Sequence, residues 1–346
     1  MTHPRPTRTL IAMAGLMLSA TPGLAATFDI ASTKASIDGL LDRDYPHLDA
    51  LYKDIHSHPE LGFQEVNTAG KLAREMRALG FEVTEHVGKT GVVALYRNGP
   101  GPKVLVRTEL DALPMEEKTG LAYASRAKAI WNGRETFVDH SCGHDIHMAA
   151  WVGTATALVA LKERWSGTVM FIAQPSEESV GGAKAMLADG LFERFGKPDL
   201  GFALHDRPAA YGEVGYRSGV ISSNSDSLEI TFTGRGGHGS MPNATIDPIL
   251  IASRFVVDVQ SVISREKDPA AFGVITIGAI QGGSAGNIIP DNVKLSGTVR
   301  SFDGQVRQKM LEGIERTAKS ESALAGAPPP DVRSSKAASR WSTTPH

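Results

Sequence analysis

The stretch GTVMFIAQPSEE, residues 167–178, decides the fold. Residues 167–174 read as a strand buried inside a sheet, and Pro175-Ser176-Glu177-Glu178 then set two adjacent carboxylates just beyond its carboxyl end. Working upstream, a helical pattern runs from about Asp145 to Arg164. Before it, KVLVRTEL (103–110) is nearly continuous apolar as far as Arg107, as a strand buried on both faces would be, and Asp111 follows it. Downstream, the helix-like SVGGAKAMLADG (179–190) precedes another strand, DLGFALH (199–205). Strand, helix, strand, helix, strand predicts an α/β domain whose mostly parallel sheet carries helices on its faces.

The same domain begins with helical spacing from about Ile37 to Ile55 and from Glu65 to Leu79, closed by Gly80, and with β-rich runs at 81–87 and 91–96. After roughly Gly215 the texture changes. DSLEITFTG (226–234), FGVITIGAI (272–280) and NVKLSGTVRSF (292–302) alternate as strands, and helical patterns occupy 247–264 and 303–319. Two helices against an antiparallel sheet predict a second, α+β domain. The stretch RSSKAASRWSTTPH (333–346) has no periodicity and is expected to be disordered.

With 346 residues, 41% apolar and 21% charged, the chain can bury a large core and form two domains. Its net charge of −2 comes from mixed signs and lacks the basic stripe that nucleic-acid binding requires. Residues 1–26 combine Arg5 and Arg8, the apolar run LIAMAGLMLSA and the small residues PGLAA, which predicts an export signal cleaved after Ala25 or Ala26. The apolar run is shorter than the ~20 residues a bilayer needs, so no membrane anchor is expected in the mature form, which would be periplasmic or secreted.

The single cysteine, Cys142, lies in HSCGHDIH (140–147). An oxidising compartment favours paired cysteines, yet this one has no partner within the chain. That leaves an inert buried thiol or a metal-ligating thiolate. Asp111, Glu177, Glu178 and His205 each follow a predicted parallel strand, and Cys142 and His144 open the long helix. They therefore converge on the sheet edge where α/β folds bind ligands. Thiolate, imidazole and carboxylate form the donor set of Zn²⁺ and similar divalent ions, and Gly143 lets the chain turn tightly enough for both flanking side chains to face one ion. One of two neighbouring carboxylates can hold metal while the other moves protons, which suits amide hydrolysis. Taken singly, a Glu-Glu pair is a solvated loop and a histidine a satisfied polar residue; the argument for metal is their convergence.

HSHPELGFQE (56–65), VLVRTELDALP (104–114), SCGHDIHMA (141–149), the run 171–187, GRGGHGSMPNATIDPI (234–249) and GNIIPDNVKLSGTVRSFD (286–303) together resemble the successive signatures of the M20 metallopeptidase family. The resemblance is to its amidohydrolase branch of hippurate hydrolases, N-acyl-amino-acid amidohydrolases and indole-acetyl-amino-acid hydrolases, and it spans about residues 40 to 332. It implies two divalent ions of Zn or Mn class in a catalytic domain (27–216), with an inserted lid and dimerisation domain (217–332). By motif, Cys142 bridges the ions, His144 and Glu178 bind one, His205 binds the other, Glu177 is the general acid and base, and Asp111 supports the ligands from behind. His238 resembles the lid histidine that stabilises the oxyanion in a partner subunit's site, and Asn287 and Arg300 resemble lid residues that hold the substrate carboxylate. The expected activity is hydrolysis of the amide of N-acyl amino acids or related small conjugates by a homodimer.

His56 and His58 of HSHPE read as residues that cap and position a helix. GRGGHG (234–239) formally contains a dinucleotide fingerprint, but Met241-Pro242-Asn243 stand where the phosphate-binding helix should begin. The family pattern continues past residue 332 with a segment carrying a last histidine ligand, whereas 333–346 matches no motif, His346 included. The expectation is a second metal site short of one ligand and core surface left uncovered. The alternative to an active enzyme is an inactive truncated homologue that keeps a dimerising lid and partial metal binding.

Overall fold

The computed structural model describes residues 29–210, 212–338 and 342–343, so the expected export signal lies outside the described residues. The first unit runs α1 (Ile30–Ser57), α2 (Val66–Ala78), β1 (Glu82–Val87), β2 (Gly91–Asn98), β3 (Lys103–Glu109), the hairpin β4 (Lys128–Trp131) and β5 (Arg134–Phe137), and α3 (His144–Ala160). It continues with β6 (Gly167–Gln174), α4 (Gly182–Ala188), α5 (Leu191–Phe195) and β7 (Leu200–Ala203).

Alternation along the central strands sorts their side chains to two faces. Val169, Phe171 and Ala173 of β6 join Val92 and Ala94 of β2 on one face, where Ile55, Leu72, Met76, Met148 and Trp151 of α1, α2 and α3 cover them. Met170 and Ile172 join Val93 and Leu95 on the other, beneath Met186 of α4 and Leu191 of α5. The strands are ordered β1-β2-β6-β3-β7. β3 is parallel to β6 and β7, and only β2 runs against the other four, so the mostly parallel α/β sheet is present.

Several boundaries differ from the sequence expectation. The long helix ends at Ala160, and a short 3-10 turn, Lys162–Arg164, completes its span. Residues 179–181 are not helical, because the chain after β6 must first pass through the loop that carries the two glutamates. β3 is only half-buried from Lys103 to Arg107 rather than covered on both faces, since β7 beside it is a four-residue strand with exposed side chains.

The second unit contains β8 (Gly219–Val220), β9 (Asn224–Thr233), β10 (Gly237–His238), α6 (Pro248–Asp258), β11 (Gly273–Gln281), β12 (Ile288–Ile289), β13 (Asn292–Ser301), α7 (Gly304–Leu324), β14 (Asp331–Ala338) and β15 (Ser342–Thr343). Its main sheet is antiparallel, β11-β13-β9-β14, and α6 and α7 bury Phe255, Met310 and Ile314 against Phe232 and Leu295. Both helices start at aspartate caps. Asp247 accepts from the amides of Ile249 and Leu250, and Asp303 from those of Gln305 and Val306.

The expected disorder over 333–346 is corrected in part. Residues 333–338 belong to β14, which pairs with β9 from Asp331↔Thr231 onward, because backbone pairing on a sheet edge requires no side-chain periodicity. No helix of the described residues is long and apolar enough to cross a membrane.

Candidate metal centre

Gly143 caps α3 in the left-handed region, φ +73°, a conformation glycine adopts without strain. The turn places Cys142 and His144 on either side of one point. His144 is fully buried, with Nδ1 2.7 Å from the backbone oxygen of Asp111, so Nδ1–H donates and Nε2 keeps its lone pair. Nε2 lies 3.9 Å from both Glu177 Oε2 and Glu178 Oε1. Cys142 Sγ lies 3.6 Å from His205 Nε2. Cys142, His144 and His205 each bring a ligand atom within 4.8 Å of the others, as do His144, Glu177 and Glu178. The five residues therefore gather at one end of the sheet.

His144 Nε2 and Glu178 Oε1 are buried without a hydrogen-bond partner among the described residues. Leaving such atoms unmatched costs about 1–3 kcal/mol each, and a divalent cation satisfies a lone pair and a carboxylate oxygen at once. The electrostatics point the same way. Burial, then the charges of Glu178, Glu177 and Asp206, push the Cys142 thiol up to about 12. Burial raises Glu178 against the pull of His144, with Glu177 and Asp111 adding to the rise. So many acidic groups resist joint ionisation until a cation joins them.

The loop that carries the glutamates is tied down by two buried carboxylates. Asp111 accepts from the amide of Glu177 at 2.9 Å and from that of Glu178 at 3.0 Å. Burial outweighs these bonds and, with the charge of Glu65, raises Asp111 to about 7. Glu65, fully buried, accepts from the Ser176 amide at 2.7 Å and from the Thr90 hydroxyl at 2.6 Å. Three successive amides are thus held, which fixes Ser176 in a left-handed conformation at φ +45°. Two glycines make room for the loop. A Cβ on Gly62 would meet Ser176 Oγ at 2.5 Å, and one on Gly182 would overlap the Pro175 carbonyl oxygen. The sequence reading gave Glu65 no site role; the carboxylate that closes the GFQE run ahead of a helix was the available signal.

His56 is buried between carboxylates, its Nδ1 2.6 Å from Asp145 and its Nε2 3.2 Å from Glu117, and so ties α1 to the first turn of α3. His58 is exposed and its ring bonds Asp54 O near the end of α1. His147, given no role by the sequence reading, stands one turn after His144, buried between Glu109 and Asp206. Burial opposes ionisation of Glu109, yet the bond from His147 and the charge of Arg107 bring it down to about 2.

The lid candidates lie on the second unit. His238 on β10 is exposed and accepts from the Ser240 amide at 3.1 Å; the carbonyl of Asn287 accepts from the Gly239 amide at 2.8 Å, so the two are neighbours on the β10–β12 ribbon. Arg300 stands apart from them, exposed on β13 opposite Val274 and Ser225.

Comparison with known proteins places these features in context. Residues 105–335 match the model for Peptidase family M20/M25/M40. The chain is 40% identical to hippurate hydrolase of Campylobacter jejuni subsp. jejuni, over 77% of this chain and 67% of that protein. It is 36% identical to N-acetylcysteine deacetylase of Bacillus subtilis, over 80% and 71% respectively. The solved structure of the Bacillus subtilis YXEP protein, described as a dinuclear metal-binding peptidase of the M20 family, superposes with a TM-score of 0.68 at 30% identity, covering 89% of this chain and 76% of that one.

Proposed function

The chain belongs to peptidase family M20/M25/M40, and from that premise we propose that it is a metal-dependent amidohydrolase cleaving the amide bond of N-acyl amino acids or related small conjugates. The observation that carries this reading is the buried, partnerless pair of His144 Nε2 and Glu178 Oε1, facing each other across 3.9 Å with Cys142 and His205 alongside. His144 and Glu178 would hold one ion, His205 the other, and Cys142 both, with zinc or manganese the ions such donors favour. Bound there, such ions would polarise the amide carbonyl and lower the pKa of a water from 15.7 to about 7.

Glu177 keeps its side chain about one third exposed while its amide is anchored to Asp111. It would take the proton of the attacking water and return it to the departing amine. Asp111 holds the Glu177 and Glu178 amides and orients His144 through its own carbonyl. His238 would donate to the developing oxyanion, and Asn287 and Arg300 would hold the substrate carboxylate, in a homodimer formed through the lid. Export follows from the leader, and N-terminal sequencing of exported protein should begin at Ala26 or Thr27.

The decisive experiment loads the purified chain with Zn²⁺ or Mn²⁺ and supplies hippurate or N-acetylcysteine. Release of the free amino acid, lost with chelator and restored by metal, is expected. Folded, metal-loaded protein without turnover would instead favour a binding-only homologue.

A further inference from the structure

The turn that carries His238 fixes more than its place in the second unit. His238 ends β10, and the Met241 amide donates to the His238 carbonyl at 2.9 Å, closing a turn that bends the chain back over the His238 ring. The ribbon beneath is held closely. The Gly234 amide donates to the backbone oxygen of Asp291 at 2.8 Å, the Gly236 amide to its Oδ1 at 2.9 Å, and the Gly239 amide to the Asn287 carbonyl at 2.8 Å. A Cβ on Gly236 would stand 2.6 Å from the Ile289 oxygen, so β10 approaches β12 more closely than a side chain there would permit. The base from which the His238 side chain projects is therefore fixed.

Inside this turn Ser240 meets the ring twice. Its amide N–H points at His238 Nδ1 from 3.1 Å, and its hydroxyl oxygen lies 2.7 Å from the same nitrogen. A backbone amide can only donate, so Nδ1 presents a lone pair, and the hydroxyl can donate to it as well. In a neutral imidazole one nitrogen holds the proton while the other accepts. With Nδ1 accepting, the proton sits on Nε2, the nitrogen that Ser240 does not touch. In an exposed residue that N–H is available to a ligand.

We infer that Ser240 is a positioning residue for the hydrolysis: through its amide and hydroxyl it holds His238 in the Nε2–H tautomer and so makes it a hydrogen-bond donor toward substrate. The inference rests on the oxyanion role proposed for His238 above and adds the group that sets it. An oxyanion is stabilised by a donor already in place as its charge develops. A histidine that exchanged tautomers would spend part of its time offering that oxygen a lone pair instead. The same assignment denies His238 two other tasks, taking a proton from water and ligating metal through Nε2, because both need a lone pair there.

The test uses the full chain carrying ¹⁵N-histidine, with two-bond proton–nitrogen correlation spectra recorded at about pH 8, where neutral imidazoles predominate. Loss of resonances in His238→Gln identifies the ring. The unaltered chain should show a protonated Nε2 and an unprotonated Nδ1. Ser240→Ala, checked for folding by circular dichroism, keeps the amide and removes the hydroxyl, so the Nδ1–H form should gain by about two- to tenfold, the weight of one neutral hydrogen bond. Ser240→Thr restores a hydroxyl and should return the spectrum. With metal-loaded protein and hippurate, kcat should fall by a similar factor in Ser240→Ala and recover in Ser240→Thr, while KM stays within about twofold. An Nδ1–H tautomer in the unaltered chain overturns the inference, as does an unchanged spectrum in Ser240→Ala, or a changed spectrum with unchanged kcat. The expected tautomer and its response to Ser240→Ala, in metal-loaded protein that cleaves no N-acyl amino acid, would defeat the proposed activity and leave the hold on His238 standing.

Discussion

Glu177 and Glu178 are adjacent, chemically identical, and differently surrounded. Glu178 aims a buried, partnerless oxygen at His144, while Glu177 leaves about a third of its side chain in solvent. Glu177→Gln is therefore expected to lower kcat by about 10²- to 10⁴-fold with metal content intact, and Glu178→Gln to lose metal first; parallel kinetics and metal counting separate the two. Glu65 acts at one remove. Removing it in Glu65→Ala strands the Ser176 amide and the Thr90 hydroxyl in a dry interior, at about 1–3 kcal/mol each, and frees the loop that aims the glutamates. Urea denaturation should record the loss and kcat should fall with it, while Glu65→Gln, which keeps an oxygen for the Ser176 amide, should recover most of both. The residues brought together were legible to very different degrees. Glu178 and His205 declare themselves by donor type at strand ends, and Cys142 and His144 by donor type at the start of the long helix. Glu65 does not, because its partner is a backbone amide 111 positions away, and an amide carries no residue type. His147 was hidden for a related reason: its partners Glu109 and Asp206 lie 38 and 59 positions away along the chain.

Elements follow the same division between local pattern and distant partner. The strands of the first unit's main sheet were readable because alternation and apolar runs are local, whereas the short β4–β5 hairpin was not, and the aspartate caps of α6 and α7 are likewise written in sequence. β14 was not readable, since its polar run RSSK joins the sheet through backbone bonds to β9, although Val332 within its span packs on the core. The tie between α7 and β9 was equally invisible. Arg307 donates through Nε and Nη2, at 2.8 and 2.6 Å, to Asp226, a fully buried carboxylate. Arg307→Ala should destabilise the second unit by about 3–5 kcal/mol, because a buried charge is left unpaired. Replacing both partners with leucines of similar volume should cost far less, and denaturant midpoints of the single and double variants test the difference. Equal loss in both would place the energy in packing around Arg307 rather than in the pair.

At the scale of the whole molecule, an apolar concavity lies away from Glu177 and Glu178. Val104, Val106, Trp151, Leu158, Trp165 and Phe202 line a groove of about 500 Å³ between α3 and the β3–β7 side of the sheet, with the buried His147 at its border. Phe202 is 62% exposed and Leu204 52%, and β7 pairs with β3 on one side while its other edge has no partner strand among the described residues. An apolar run such as KVLV therefore reports the tendency of β3 to be covered, and the described residues cover it only halfway. An apolar trough beside an open strand edge binds hydrophobic dyes and promotes association. Replacing Phe202 and Leu204 together by serine should cut anilinonaphthalene sulfonate fluorescence and concentration-dependent light scattering several-fold. Because both side chains are mostly in solvent, stability should change by no more than about 0.5 kcal/mol. Unchanged scattering with reduced dye binding would assign association to the second unit's exposed Val257 and Ile280 instead, and a large drop in stability would mean that Phe202 and Leu204 pack more closely than their exposure shows.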